Sequence, residues 1–480
     1  MKALNYIFPA VIFFALLSCN KFLEEVPVDR LSNTSFFKTE TDAVSSVNSI
    51  YNAFKNTYDN NYLSEMNQKS DYINSRGSRV PSATYQTDAI TVSRQGQIWT
   101  DFYRVISIAN ISLKYIPPIV KNADLRDRLL GECYFLRALS YMTIARLFGP
   151  APIRTEPVES LASTAAARSP ISDLYNLIVE DLQLAENLLP EITGFGRANK
   201  GAARMALATV HIWQNNPSLA MEYAEKVISS GTYQLEKSYK DVFDPDILSK
   251  ENIFFIRHFR ESSFGTELIN YYHAVDWPEW AQSQYVWSGN PKTFIGNWDN
   301  NDLRKLWCIY DKTTPLTGKD GKTVFIKDDL IHFSKFRDPK AISTQKISYY
   351  FPVFRLSEAY LLYAEADIRD DGSLSSKGRE YWNMIRRRGY GLDMSSPAPG
   401  IDISLSLSNE QLLEEMLLER GKEFLCEGTR WLDMLRFNKA KELIEQAGYS
   451  FEPRVLLFPI PIEEINNNDA LSPDDQNPGY

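Results

Sequence analysis

The sequence predicts a mainly α-helical protein: a scaffold of tetratricopeptide-like helical hairpins carrying a loop-rich, irregular insertion. Three observations predict it. Apolar residues recur at helical spacing through most of positions 40–231 and again through 354–440. Positions 200–231 read as two antiparallel helices meeting through alanines across a short turn. From about 232 to 350 that period fades, and short β-like runs alternate with Gly, Asn, Asp and Pro.

The chain begins with Lys2 and an apolar stretch, Ile7 to Leu17, followed by Leu16-Leu17-Ser18-Cys19. Positive start, apolar run, small residue and cysteine stand in the order of a lipoprotein signal, so residues 1–18 are expected to be removed. Cys19 then becomes the first residue of the mature chain and carries acyl chains, palmitate among them. Such an anchor holds stably, because each buried CH₂ contributes about 0.8 kcal/mol. No later segment has the ~18 uninterrupted apolar residues of a membrane-spanning helix. Residues 19–480 are expected to form one domain attached to the membrane by its lipid alone.

The full chain has 44% hydrophobic and 24% charged residues, ample for a large core. Its net charge of −9 argues against binding a phosphate backbone, so no nucleic-acid partner is expected. Beyond Cys19 three cysteines remain, Cys133, Cys308 and Cys426. An odd number cannot all pair, and Cys133 and Cys426 lie in apolar helical contexts, so buried free thiols are expected.

In chain order, Thr41-Asp42 offers a cap for a helix to about Phe54, with Val44, Val47, Tyr51 and Phe54 on one face. Residues 59–96 are polar and read as a long irregular loop. A second helix is predicted from about Gln97 to Ile116, ended by Pro117-Pro118. A third covers Leu125 to Phe148, apolar on two sides and so packed between neighbours. Gly149-Pro150 stops it. Another runs from Ile171 to Leu189. In the hairpin, Asn216 can cap the second helix, with Pro217 at its first position. In the insertion, Ile253–Ile256 and Thr323–Ile326 look β-like. Helices return at about Phe354–Ile368 and Lys377–Arg388. Ser408 and Gln411 form a capping box for a helix through about Leu425, and a short helix follows from Thr429 to Lys439.

Several segments resemble the SusD/RagB family of nutrient-binding outer-membrane lipoproteins. They are Gly131-Glu132-Cys133-Tyr134-Phe135-Leu136-Arg137-Ala138, Leu356-Ser357-Glu358-Ala359-Tyr360, Glu419 through Arg436, Leu457-Phe458-Pro459-Ile460-Pro461 and the closing Asn477-Pro478-Gly479-Tyr480. The resemblance implies four tetratricopeptide-like helix pairs supporting a loop-rich binding half. It also implies a SusC-like TonB-dependent transporter as partner, an oligosaccharide (or, in some members, a peptide) as ligand, and no catalysis. The expected location is the outer membrane, lipid-anchored and facing the cell exterior.

The residues themselves offer an aromatic cluster at 271–298. Sugar rings present apolar C–H faces to flat aromatics, so Tyr272, Trp277, Trp280, Tyr285 and Trp287 are the candidate platform. The bland alternative is that about half of the cluster packs the insertion onto the scaffold. Asn74 and Arg76 could donate to a glycan or a carboxylate; the competing reading is a solvated turn. Glu419, Glu423 and Glu427 recur every four residues near Arg430 and Arg436, and are expected to tie helices together rather than to catalyse. Asn297, Asp299, Asn301 and Asp302 read as a turn rather than a Ca²⁺ loop. No zinc spacing, P-loop or nucleophile elbow occurs, so no metal or cofactor is expected. Motif absence does not exclude a surface glycoside hydrolase, which needs only two placed carboxyls.

Overall fold

Thr39 opens the first long helix, α1 (Glu40–Thr57). Its hydroxyl accepts from the Asp42 amide, and the Asp42 carboxylate accepts from the Thr39 amide at 2.7 Å. This reciprocal box moves the cap two residues ahead of the expected Thr41, because Asp42 serves as the third helical residue rather than the first. The computed structural model describes residues 33–158, 164–261, 287–317, 321–341 and 347–480. The signal segment 1–18, Cys19, and the platform candidates Tyr272, Trp277, Trp280 and Tyr285 lie outside the described residues.

The polar stretch 59–96, expected as a loop, is mostly helical and largely buried. A π-helical turn at Tyr58–Tyr62 leads into α2 (Leu63–Gln68) and strand β1 (Ile73–Asn74), and α3 (Ala89–Ile119) begins well before Gln97, capped by Asp88. The polar groups are buried because distant partners satisfy them. Glu65 accepts from Ser82 at 2.7 Å and Gln95 at 2.9 Å, and the Asn67 side chain accepts from the Gly428 amide at 3.2 Å. Pro117 and Pro118 fall inside the last turn of α3 rather than just beyond it.

Lys69 sits in the same segment, 3% exposed, with its ammonium 5.2 to 5.7 Å from the ring centres of Trp431, Phe458 and Tyr85. Burial pushes this ammonium down to about 8, with Glu65 acting in the opposite direction. A base depressed by folding binds fewer protons folded than unfolded, so its penalty is full below pH 8 and fades as pH rises toward the ordinary lysine value. Lys69→Met is therefore expected to raise the folding stability at pH 7, by at most about 3 kcal/mol since the rings return part of the penalty. The gain over the natural protein should shrink from about pH 8 and vanish above about pH 10, as urea denaturation across that range will show.

The scaffold then runs through α4 (Ala123–Phe148), α5 (Ile171–Leu188), α6 (Lys200–Trp213) and α7 (Pro217–Ile228). Gly149, at φ 74°, ends α4 where an L side chain would be strained. Asn216 stands at the N-cap of α7 but makes no side-chain cap; Pro217 at the first position pre-sets the turn, as expected. Each helix packs on its predecessor: α1 on α3, α3 on α4, and so on to α7.

The insertion contains β2 (Asn252–His258), β3 (Ser288–Gly289), a short helix α8 (Leu303–Cys308), β4 (Ile309–Tyr310), β5 (Leu316–Thr317), β6 (Thr323–Val324), β7 (Ile331–Phe333) and β8 (Tyr349–Arg355). β8 pairs antiparallel with β2, so the helix expected from Phe354 starts two residues later, as α9 (Leu356–Asp371). After it come α10 (Ser376–Gly389), α11 (Asn409–Glu423), α12 (Arg430–Arg436) and α13 (Ala440–Gln446). Ser408 and Gln411 form the expected capping box of α11. α7 packs directly on α9, and α9 on α10. The chain thus leaves the helix stack after Ile228 and rejoins it as the next member, which makes 232–355 an insertion in sequence but not in packing. The eight stacked helices α1, α3, α4, α5, α6, α7, α9 and α10 form four antiparallel pairs, each burying a face the pair alone would leave wet.

Candidate functional site

The insertion is fastened to the stack by buried ions. Arg304 on α8 binds Asp302 at 2.8 Å, Glu419 at 2.6 Å and Glu423 at 3.0 Å. Arg355, closing β8, holds Glu423 at 2.6 Å and Glu427 at 2.8 Å. Arg388 on α10 reaches Glu423 at 2.5 Å and also Glu251. Lys335 from the insertion meets Glu427 at 2.5 Å. Burial acts to raise the Glu423 carboxyl, but Arg388, Arg355 and Arg304 together hold it far below the usual carboxylate range. Glu419 is likewise held low against its burial, by Arg304 and Arg386. Both carboxylates are therefore ionised ties between helices, as the spacing of Glu419, Glu423 and Glu427 leads one to expect.

A second tie positions the surface that matters. Asp71 receives two parallel hydrogen bonds from Arg430, at 2.8 and 2.9 Å, and the neighbouring Tyr72 hydroxyl accepts from the Cys426 amide at 2.8 Å. These contacts fix the start of β1. β1 pairs antiparallel with β3, with Ile73 opposite Gly289 and Asn74 opposite Ser288; β3, β7 and β4 continue the sheet. The ladder extends by a bond from the Asn290 amide to the Tyr72 carbonyl at 2.8 Å. The two segments picked out separately in the sequence, 71–76 and 271–298, are thus brought together where the second re-enters the described structure.

At this junction Asn74 is half-buried, and its side-chain oxygen accepts from the Tyr449 hydroxyl at 2.7 Å. Arg76, two residues on, is exposed. The Lys292 ammonium lies so close to Gly448 that a Cβ there would stand 2.7 Å from it. A cleft of about 300 Å³ opens beside the Asp71–Arg430 pair, lined by Thr293, Phe294 and Asn297 and by Lys439 with its carboxylate partners Glu414 and Glu442. One aromatic ring, Phe294, and the aliphatic Leu417, Leu418 and Leu443 stand among polar and charged groups, the make-up of a site for an amphipathic ligand.

Trp287 does not join this surface. It is 1% exposed and belongs to the core, as does Trp298, whose ring nitrogen donates to Asp302 at 2.9 Å. A ring without an exposed face offers no stacking platform, so Trp287 takes the packing role weighed against it. Asp299 and Asp302 also follow the bland reading: Asp299 caps its own turn through the Asn301 amide, and Asp302 caps α8 and pairs with Arg304. Sequence reasoning missed Tyr449 and Lys292. Neither lies in a motif: Tyr449 reaches the site because the chain after α13 folds back beside β1, and Lys292 because it follows β3 and meets that returning chain at Gly448.

A stack of helix pairs with a loop-rich half clamped on by buried ions defines the class: a helical-hairpin scaffold carrying an irregular half. No described helix is long and apolar enough to cross a membrane. The chain belongs to the SusD family: residues 267–453 match the pattern described as "SusD family", and residues 21–212 the related pattern described as "Starch-binding associating with outer membrane". It is similar to the SusD-like protein P25 of Formosa agariphila, 24% identical over the full length of both chains. It is also similar to the starch-binding protein SusD of Bacteroides thetaiotaomicron, 26% identical over 74% of this chain and 73% of that one. Among solved structures, a laminarin-binding SusD-like protein superposes with a TM-score of 0.77 at 22% identity, covering 92% of this chain and all of that one, which shows the shared fold.

Proposed function

We propose that this chain binds an oligosaccharide at the junction of β1 and β3 and hands it, unaltered, to a SusC-like TonB-dependent transporter. It does so from the outer membrane, held there by the lipid on Cys19 and facing the exterior, with residues 19–480 working as one unit. The observation that carries the reading is the meeting of segments 71–76 and 287–298 beside an amphipathic cleft. Tyr272, Trp277, Trp280 and Tyr285 supply the stacking faces, and Asn74 and Arg76 the hydrogen bonds. Relatives named for starch and laminarin binding support a glycan as the ligand class. A binding rather than a hydrolytic role is supported by the signature carboxylates, which arginines occupy.

Isothermal titration against starch- and laminarin-derived oligosaccharides tests it. Asn74→Ala and Arg76→Ala should each weaken the best ligand about fivefold, the loss of one hydrogen bond of about 1 kcal/mol; the denaturation midpoint should stay unchanged in Arg76→Ala and fall slightly in Asn74→Ala, which also loses the bond from Tyr449. Trp277→Ala and Trp280→Ala should weaken it further. Natural affinity in all four variants would place the ligand elsewhere. Release of shortened product from any bound glycan would overturn the non-catalytic reading.

A further inference from the structure

Away from the β1–β3 junction, α4, α5 and α6 end around a second cavity of about 340 Å³, closed by the chain after α12. That volume lies at the small end of ligand pockets, which span about 300–1,000 Å³, and suits one or two six-membered rings. Three half-buried rings line it, Trp213, Tyr175 and Phe451. The Arg146 guanidinium lies 5.7 Å from the Trp213 ring centre, and its Nε donates to the Met142 carbonyl, which fixes its direction. Lys441 adds a second cation at the rim. Among the described residues no carboxylate lines this cavity, in a chain whose net charge is −9. A smaller cavity behind it, also bordered by Arg146 and Trp213, does hold Glu358, Asp433 and Glu427, but the first two face Arg420 at 3.6 and 2.9 Å and the third faces Arg355 at 2.8 Å. Two cations converging on a pocket without anions, over aromatic walls, select a ligand that is flat, apolar on one face and negatively charged at one edge.

We propose that this cavity is a second ligand site, for a carboxylate carried on a six-membered ring. The ring lies against Trp213 and Tyr175, and the carboxylate meets Arg146 and Lys441. The site shares no residue with the β1–β3 junction, so either can fail without the other. Two sources supply this chemistry, an acidic sugar and an aromatic acid, and the test separates them.

Titrate the purified protein with digalacturonate, with its neutral counterpart galactobiose and with benzoate, following Trp fluorescence and heat. Digalacturonate or benzoate should bind at least about tenfold more tightly than galactobiose, one charge-assisted contact, and the affinity should fall as salt rises. Whichever of the two binds identifies the source. Arg146→Gln and Lys441→Gln should each remove most of that preference. Should Arg146→Gln fold poorly, the exposed Lys441→Gln carries the test alone. Equal binding of galactobiose, binding undiminished by Lys441→Gln, or no binding by either acid overturns the proposal.

Discussion

Glu423→Gln is expected to cost about 3–5 kcal/mol of folding stability, the range for removing one partner of a buried ion cluster. Glu423 is fully buried and accepts from Arg304, Arg355 and Arg388, which come from the insertion, from the strand that ends it and from the helix stack. Glutamine keeps the shape but not the charge, so three guanidiniums would stay in the interior with one anion fewer. The insertion should loosen before the stack does. Urea denaturation followed by circular dichroism will give the cost, and hydrogen exchange will show protection lost first at Lys335 and along β2 and β8. The pH dependence has a defined sign. A carboxyl held low by folding contributes stability that is present above its unfolded value and lost as pH falls toward the folded one. The natural protein should therefore lose stability on acidification below about pH 4.5, and Glu423→Gln should lose less over that range. A variant as stable as the natural protein would show that the cluster is not the clamp described.

Arg430→Met should cost about as much, and should also weaken the glycan site. It strands the buried Asp71 carboxylate, 1% exposed, without its two hydrogen bonds. The loss is transmitted to function because Asp71 sets where β1 starts, and β1 carries Asn74 into the junction. The double variant Asp71→Leu with Arg430→Met removes both charges and should recover much of the stability, since a well-packed apolar pair often replaces a buried ion pair at little cost. A double-mutant cycle read by denaturation gives the coupling. If the single and double variants are equally unstable, packing around Arg430 rather than its charge holds the segment.

Local signals were legible wherever a few neighbouring residues decide the outcome. The α11 box, Pro217 opening α7, Gly149 ending α4 and the loss of helical period after 231 all depend on contacts within a turn or two of chain. The family motifs were legible too, and the structure explains the spacing of one: glutamates four apart on α11 face arginines from three other elements.

What misled was polarity. The stretch 59–96 looks like a loop because it is rich in polar residues, yet Asn67 and Asp71 find their partners near position 430. No local window contains both halves of such a bond. Trp287 misled in the opposite direction: its segment lacks period, yet β3 turns the ring into the core.

By itself, then, the sequence determined the class of protein, most of its long helices, the capping box of α11 and the family. These follow from propensity, periodicity and residue order, which are properties of short stretches of chain. Only the tertiary structure decided that the insertion is a packed appendage of an unbroken helix stack, that segments 71–76 and 287–298 share one sheet, and which tryptophans are core. Those outcomes depend on pairings between residues hundreds of positions apart, whose free energy appears only once the chain has closed on itself.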